Sequence, residues 1–133
     1  MKFMLDTNTC VFLMKNMPSV VEQYKANRNS GVSISVITSA ELYFGVYNSA
    51  SPQKNAANLA NFLLGVETLA FDDGAAMEYG RIRAALKKQG TPIGPLDMLI
   101  AAHALSCDLT LITDNTREFE RVKGLRLANW LNA

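Results

Sequence analysis

What this sequence lacks narrows it quickly. Cysteine is nearly absent: Cys10 and Cys107 are the only two among 133 residues. They show no CxxC or Cys/His spacing, which excludes a disulfide-stapled scaffold and a zinc site. Both are expected to be free, buried thiols in a reducing compartment. No apolar run approaches the roughly 18 residues of a membrane span. Met1-Lys2-Phe3-Met4-Leu5-Asp6 meets an aspartate before any sustained apolar stretch, so it does not read as a signal peptide. Charge of one sign is lacking too. Thirteen Lys and Arg against twelve Asp and Glu leave a net charge of +1. Dedicated nucleic-acid-binding domains are usually more basic, so any nucleic-acid chemistry here must rest on local groups. There is no repeat, low-complexity tract or linker.

What is there reads as an ordinary globular protein. Apolar residues make up 49% and charged residues 19%, which excludes wholesale disorder and predicts one soluble, cytoplasmic domain over residues 1–133. The apolar run up to Leu5 predicts a first strand, followed by helices over 7–15 and 18–28. Val32–Val36 alternates and is β-branched, which predicts a second strand. Thr38-Ser39-Ala40-Glu41 reads as a capping box opening a helix to Asn48. Further helices are expected over 53–64, 73–89, 96–106 and 116–121. Strands are expected over 66–71 and 109–113, with an edge strand near 125–128. Strands alternating with helices imply an α/β fold: a mostly parallel sheet of four to five strands with helices on both faces.

In such sheets ligands bind beyond the carboxyl ends of the strands, and that is where the acids fall. Asp6 follows the first strand, and Glu41 lies on the first helical turn after the second. Asp97 opens the buried helix that leads to the fourth strand, and Asp114 and Asn115 follow that strand. Clustered carboxylates repel one another, and a divalent cation removes that conflict. All-oxygen ligands suit Mg²⁺, with Mn²⁺ as a substitute. Each residue also has a structural reading. Asp6 can cap its helix, Glu41 can close the capping box, and Asp97 can complement a helix dipole. Asp114 and Asn115 are ordinary turn residues. Their joint placement carries the functional reading.

Four segments resemble one family. Met4-Leu5-Asp6-Thr7-Asn8 is similar to the opening "LDTN" of PIN-domain proteins. Ser35 to Gly45 resembles their "S-x-x-T-x-x-E-L-x-x-G" segment. Pro92 to Ala104 resembles "PIGPxDxxIAAHA", and Leu111 to Phe119 resembles "LxTxNxxEF", both of VapC-type ribonuclease toxins. Together the four cover essentially the whole chain. The resemblance implies a flavodoxin-like PIN domain and an endoribonuclease dependent on Mg²⁺ or Mn²⁺. It carries over Asp6, Glu41 and Asp97 as metal ligands and catalytic acids. Where many members have a fourth aspartate this chain has Asn115, so Asn115 or the preceding Asp114 completes the site. Glu118 is expected to support the loop. Thr7, Asn8 and Thr113 are expected to hold carboxylates in register. The resemblance also implies a structured RNA substrate, best a tRNA anticodon loop, a VapB-type antitoxin partner and a homodimer.

Other features read as structural. His103 falls on a different helix face from Asp97 and reads as packed. Gly90 and Gly94 flank Pro92 in a stiff connection, not a phosphate loop. Arg81, Arg83, Lys87, Lys88, Arg117, Arg121 and Lys123 read as solvated faces, those nearest the acids as RNA-phosphate contacts. Tyr43, Phe44 and Tyr47 are expected in the core or at a protein interface. A phosphoacceptor module of similar fold would need an acidic pair after the first strand and a lysine after the last, and both are missing. An aspartyl-phosphate hydrolase would need a second aspartate beside Asp6. A PIN-like domain that only binds partners stays open because of Asn115.

Overall fold

The computed structural model describes residues 1–132. Five strands form one sheet: β1 (Phe3–Leu5), β2 (Val32–Ser35), β3 (Glu67–Leu69), β4 (Thr110–Ile112) and β5 (Leu127–Ala128). Their order is β3-β2-β1-β4-β5, and every pairing is parallel. Seven helices connect them: α1 (Thr7–Met14), α2 (Pro18–Asn27), α3 (Val36–Tyr47), α4 (Pro52–Leu63), α5 (Asp73–Gln89), α6 (Pro95–Ser106) and α7 (Thr116–Phe119). No helix among the described residues is long and apolar enough to cross a membrane.

Side chains alternate across a strand, and here the alternation feeds two cores. Phe3, Leu5, Val32, Ile34 and Ile112 pack with residues of α1 to α4. Met4 and Leu111 pack on the other face with residues of α5, α6 and α7. Strands this short and buried on both sides read as continuous apolar runs, as parallel strands do. β2 departs from that rule, since Ser33 and Ser35 are both wholly buried. Ser33 satisfies its hydroxyl by donating to the Phe3 carbonyl at 2.8 Å. Helix α6 brings Ala101, Ala102 and Ala104 into the core, and these small residues permit close packing.

The helix ends follow local chemistry. Proline stands in the first turn of α2, α4 and α6, where its missing N–H costs nothing. Asp72 caps α5 by accepting from Ala75 N at 3.0 Å, and α5 stops at Gly90, whose φ of 69° suits glycine.

Three expectations are corrected. Helix α3 begins at Val36, with Ser35 as its cap, so Thr38 opens no capping box and Glu41 sits in the second turn. Ser35 takes the cap because its hydroxyl accepts from Ile37 N at 3.1 Å. Cys10 is buried as expected, but Cys107, at the end of α6, is exposed. The strands are one to three residues shorter than the sequence suggests, in a sheet that is parallel throughout. Tyr43, Phe44 and Tyr47, expected in the core or at a protein interface, are 45%, 68% and 76% exposed and lie outside the core.

Candidate active site

From β1 the chain winds outward through β2 to β3, then crosses back to β4 and β5 on the other side. The direction reverses between β1 and β4, and a crevice opens at the carboxyl ends of strands at such a switch. Asp6 and the segment Thr113-Asp114-Asn115 flank that crevice. They are held level by the register Leu5 to Ile112 and by the Asp6 N–H, which donates to the Ile112 carbonyl at 3.0 Å.

Asp6 is only 4% exposed. Its Oδ1 accepts from Thr9 N at 2.8 Å, making it the cap of α1. Burial pushes its pKa up; hydrogen bonds from Thr113 and Thr9 pull it back, and the Asp114 charge pushes it up again. Glu41 arrives from α3, and the Thr7 hydroxyl donates to its Oε1 at 2.6 Å. Thr38 Oγ1 lies 3.5 Å from that same hydroxyl. Asp97 is the third residue of α6, and its pKa is pushed up to about 6, first by burial and then by the charges of Glu118, Asp6 and Glu41. Four carboxylates from four parts of the chain therefore share one field.

The rim is built around Glu118. Its Oε1 accepts from Gly94 N at 3.0 Å, and its Oε2 accepts from Asn115 Nδ2 at 2.7 Å. Asn115 N in turn donates to Thr113 Oγ1 at 3.0 Å. Asp114 Oδ1 is buried with no hydrogen-bond partner among the described residues. The ion pairs among those residues are elsewhere, Arg81 with Glu78 and Arg126 with Asp108. The site is therefore acidic, partly dry and without a balancing cation. Its hard oxygen donors and the orphaned Asp114 oxygen fit a divalent ion such as Mg²⁺. Among the described residues no three acidic, histidine or cysteine side chains close into a ready metal cage, as expected of carboxylates repelling one another.

Of the residues singled out from sequence, Asp97 lies in the field of Glu118, Asp6 and Glu41, Asp6 in that of Asp114, and Asn115 bonds Glu118. Thr7 and Thr113 hold carboxylates as expected, whereas Asn8 is exposed. Thr9 was missed. Its buried hydroxyl donates to the Ile112 carbonyl at 3.1 Å, locking α1 onto β4. A threonine three residues after a capping aspartate was the available signal. His103 is buried as expected. Arg121 donates to the Pro92 carbonyl at 3.1 Å, bracing the loop before α6. Beside Glu41 and Thr7 opens a groove of about 850 Å³, lined by Val11, Met14, Leu42 and Phe62 among others.

Comparison with known proteins gives a consistent picture. A family profile described as "PIN domain" matches residues 3–125. The chain is 45% identical over 130 residues to the "tRNA(fMet)-specific endonuclease VapC" of Salmonella typhimurium, covering 98% of each chain. It is 42% identical to "Ribonuclease VapC2" of Haemophilus influenzae, covering 98% of this chain and 99% of that one. Among solved structures it resembles a chain of the DNA-bound VapBC complex of Salmonella typhimurium, with TM-score 0.93, 46% identity and 98% of each chain covered. A chain of the VapBC2 complex of Rickettsia felis bound to promoter DNA matches with TM-score 0.93 and 36% identity, covering 98% of this chain and 99% of that one.

Proposed function

The chain belongs to the PIN-domain family, and from that premise we propose that it is a VapC-type endoribonuclease toxin dependent on Mg²⁺ or Mn²⁺. One observation carries the reading: Asp97, with its pKa pushed up to about 6 by burial and by Glu118, Asp6 and Glu41, has no cationic partner among the described residues. A fold gains nothing from confining acids this way unless a cation joins them.

Asp6 and Asp97 would hold the metal, with Glu41 as a third ligand or the group that orients the attacking water. When bound, the metal supplies positive charge against the scissile phosphate and makes water more acidic. The chain's own residues do the rest. Thr7 fixes the Glu41 carboxylate, and Thr113 and Thr9 fix that of Asp6. Glu118 holds Asn115 and the Gly94 turn, so that the Asn115 amide or the Asp114 oxygen completes the set. Hydrolysis of this kind leaves a 5′-phosphate; a 2′,3′-cyclic phosphate product would contradict it.

The names of the relatives support a tRNA substrate, an initiator tRNA cut in its anticodon loop being the best single choice. The complexes they form support a VapB-type antitoxin as partner. The groove beside Glu41 offers such a partner an apolar seat that ends at the acids. We assign residues 1–133 to one PIN domain, acting as a cytoplasmic homodimer. The deciding experiment is cleavage of a total tRNA pool by antitoxin-free protein with Mg²⁺ or Mn²⁺, beside Asp97→Asn and a chelator control. Discrete cuts lost in both controls are the expected result. Intact RNA from folded wild type would move the reading to another RNA or to a binding-only domain.

A further inference from the structure

Glu41 and Asp97 reach the site from different helices, α3 and α6, and Asp97 feels the Glu41 charge. Behind them the two helices are joined by a buried polar contact. His103, on α6 and 1% exposed, places Nδ1 2.7 Å from Ser35 Oγ. Ser35 is wholly buried and caps α3 by accepting from Ile37 N. Burial pulls the His103 pKa down, while the Asp72 charge and the Ala70 backbone beside the ring favour a proton there. The Ser35 hydroxyl has no other acceptor among the described residues, so a neutral ring that takes its proton at Nδ1 carries its own on Nε2. The Ser35 hydroxyl then donates to Nδ1 while its lone pair receives the Ile37 N–H. Phe71 packs edge-on against the ring with centroids 5.3 Å apart.

A continuous chain results: Ile37 N–H to Ser35, Ser35 to His103, His103 to Ala70. It ties the start of α3 to the last turn of α6, beside the residue that follows β3 at the edge of the sheet that carries the acids. The other buried residues of α6 are Met98, Ile100 and three alanines, and apolar contacts tolerate sliding in a way that a directional hydrogen bond does not.

We infer that His103 is a positioning residue for the active site. Through Ser35 it sets how α6 stands against α3, and so the spacing of Asp97 and Glu41. The inference rests on the metal-binding reading of those two acids. His103 itself touches no reacting atom.

Two substitutions divide the chain of bonds. His103→Asn places an amide oxygen where Nδ1 stands, keeping the Ser35 bond and losing Ala70. His103→Gln places an amide nitrogen where Nε2 stands, keeping Ala70 and losing Ser35. Mn²⁺ affinity is read by calorimetry without RNA, beside Tm, kcat and KM for tRNA. For His103→Gln, Mn²⁺ binding is expected to weaken about 10-fold, the low end for an outer-shell partner. Its kcat should fall with KM unchanged, while His103→Asn stays close to wild type. Ser35→Ala tests the same link from the other end and is expected to weaken Mn²⁺ binding as His103→Gln does, so a His103 variant that fails to fold leaves the test intact. Wild-type Mn²⁺ affinity in His103→Gln or Ser35→Ala, or losses in both His103 variants that merely track Tm, would overturn the inference alone. Wild type that binds no Mn²⁺ would overturn the metal reading and the inference together.

Discussion

The Thr7 hydroxyl donates to Glu41 Oε1 at 2.6 Å across 34 positions of sequence. One short bond thus joins the segment after β1 to the helix after β2 and gives Glu41 a single orientation. Thr7→Val keeps the shape and removes the donor. Metal affinity and cleavage rate are expected to fall about 10-fold, with a stability loss of only about 0.5–1.5 kcal/mol. Calorimetry with Mn²⁺ beside a thermal melt separates the two effects.

Asp6 caps α1 and, on the proposed reading, also holds the metal, and substitution can separate the two. Asparagine caps a helix as well as aspartate does, whereas alanine in its place costs about 0.5–2 kcal/mol. Asp6→Asn should therefore fold with near wild-type stability and lose both cleavage and Mn²⁺ stabilisation. Asp6→Ala should lose these and melt earlier as well. An active Asp6→Asn would reduce Asp6 to a cap.

Metal-free protein should become less stable as pH rises toward neutrality. Asp97 holds its proton up to about pH 6 in the folded chain, against an ordinary value of 3.8. The folded state therefore binds the extra proton, and its stabilisation is full below about 3.8 and lost as pH rises through about 6. Chelated wild type is expected to lose more stability between pH 5 and pH 7 than chelated Asp97→Asn. Saturating Mn²⁺ should reverse the slope, because metal binding requires the deprotonated acid. Parallel melts of the two proteins across that range check the difference.

Asn115 donates to Glu118 through Nδ2, so Asn115→Asp sets a carboxylate against a carboxylate. Metal-free protein should lose about 1–3 kcal/mol, the cost of replacing that bond with an unsatisfied contact. The gain in Tm on adding Mn²⁺ should exceed that of wild type, since the site acquires another anionic ligand. An unchanged gain would place residue 115 outside the metal's reach.

Most of the architecture was legible because the helix and strand periods are clean and the strands lie between strong turn signals. The start of α3 was not, for a definite reason. Ser35, Thr38 and Glu41 repeat at intervals of three, so two overlapping readings of the cap look alike in sequence. The structure selects the earlier one, with the Ser35 hydroxyl accepting from Ile37 N and held by His103. The acids at the strand ends were legible because a parallel sheet sends its carboxyl ends to one side. The bonds of Glu118 to Gly94 and of Thr9 to Ile112 were not, since both join segments far apart in sequence. For Tyr43, Phe44 and Tyr47 the sequence left core and interface open, and their exposure removes the core, since aromatic content alone does not say which side of a helix the core lies on.

The central place of β1 has a consequence in time. This strand is made before both of its neighbours, β2 and β4, and Asp6 is fixed by Ile112 and Thr113. At a synthesis rate of about 5–20 residues per second, Asp6 waits roughly 5–20 s for the strand that positions it. A nascent or prematurely released chain carries Asp6 and Glu41 as loose, hydrated carboxylates and has no crevice between them. A chain interrupted before β4 therefore lacks the assembled crevice, and the site forms only once β4 has been made.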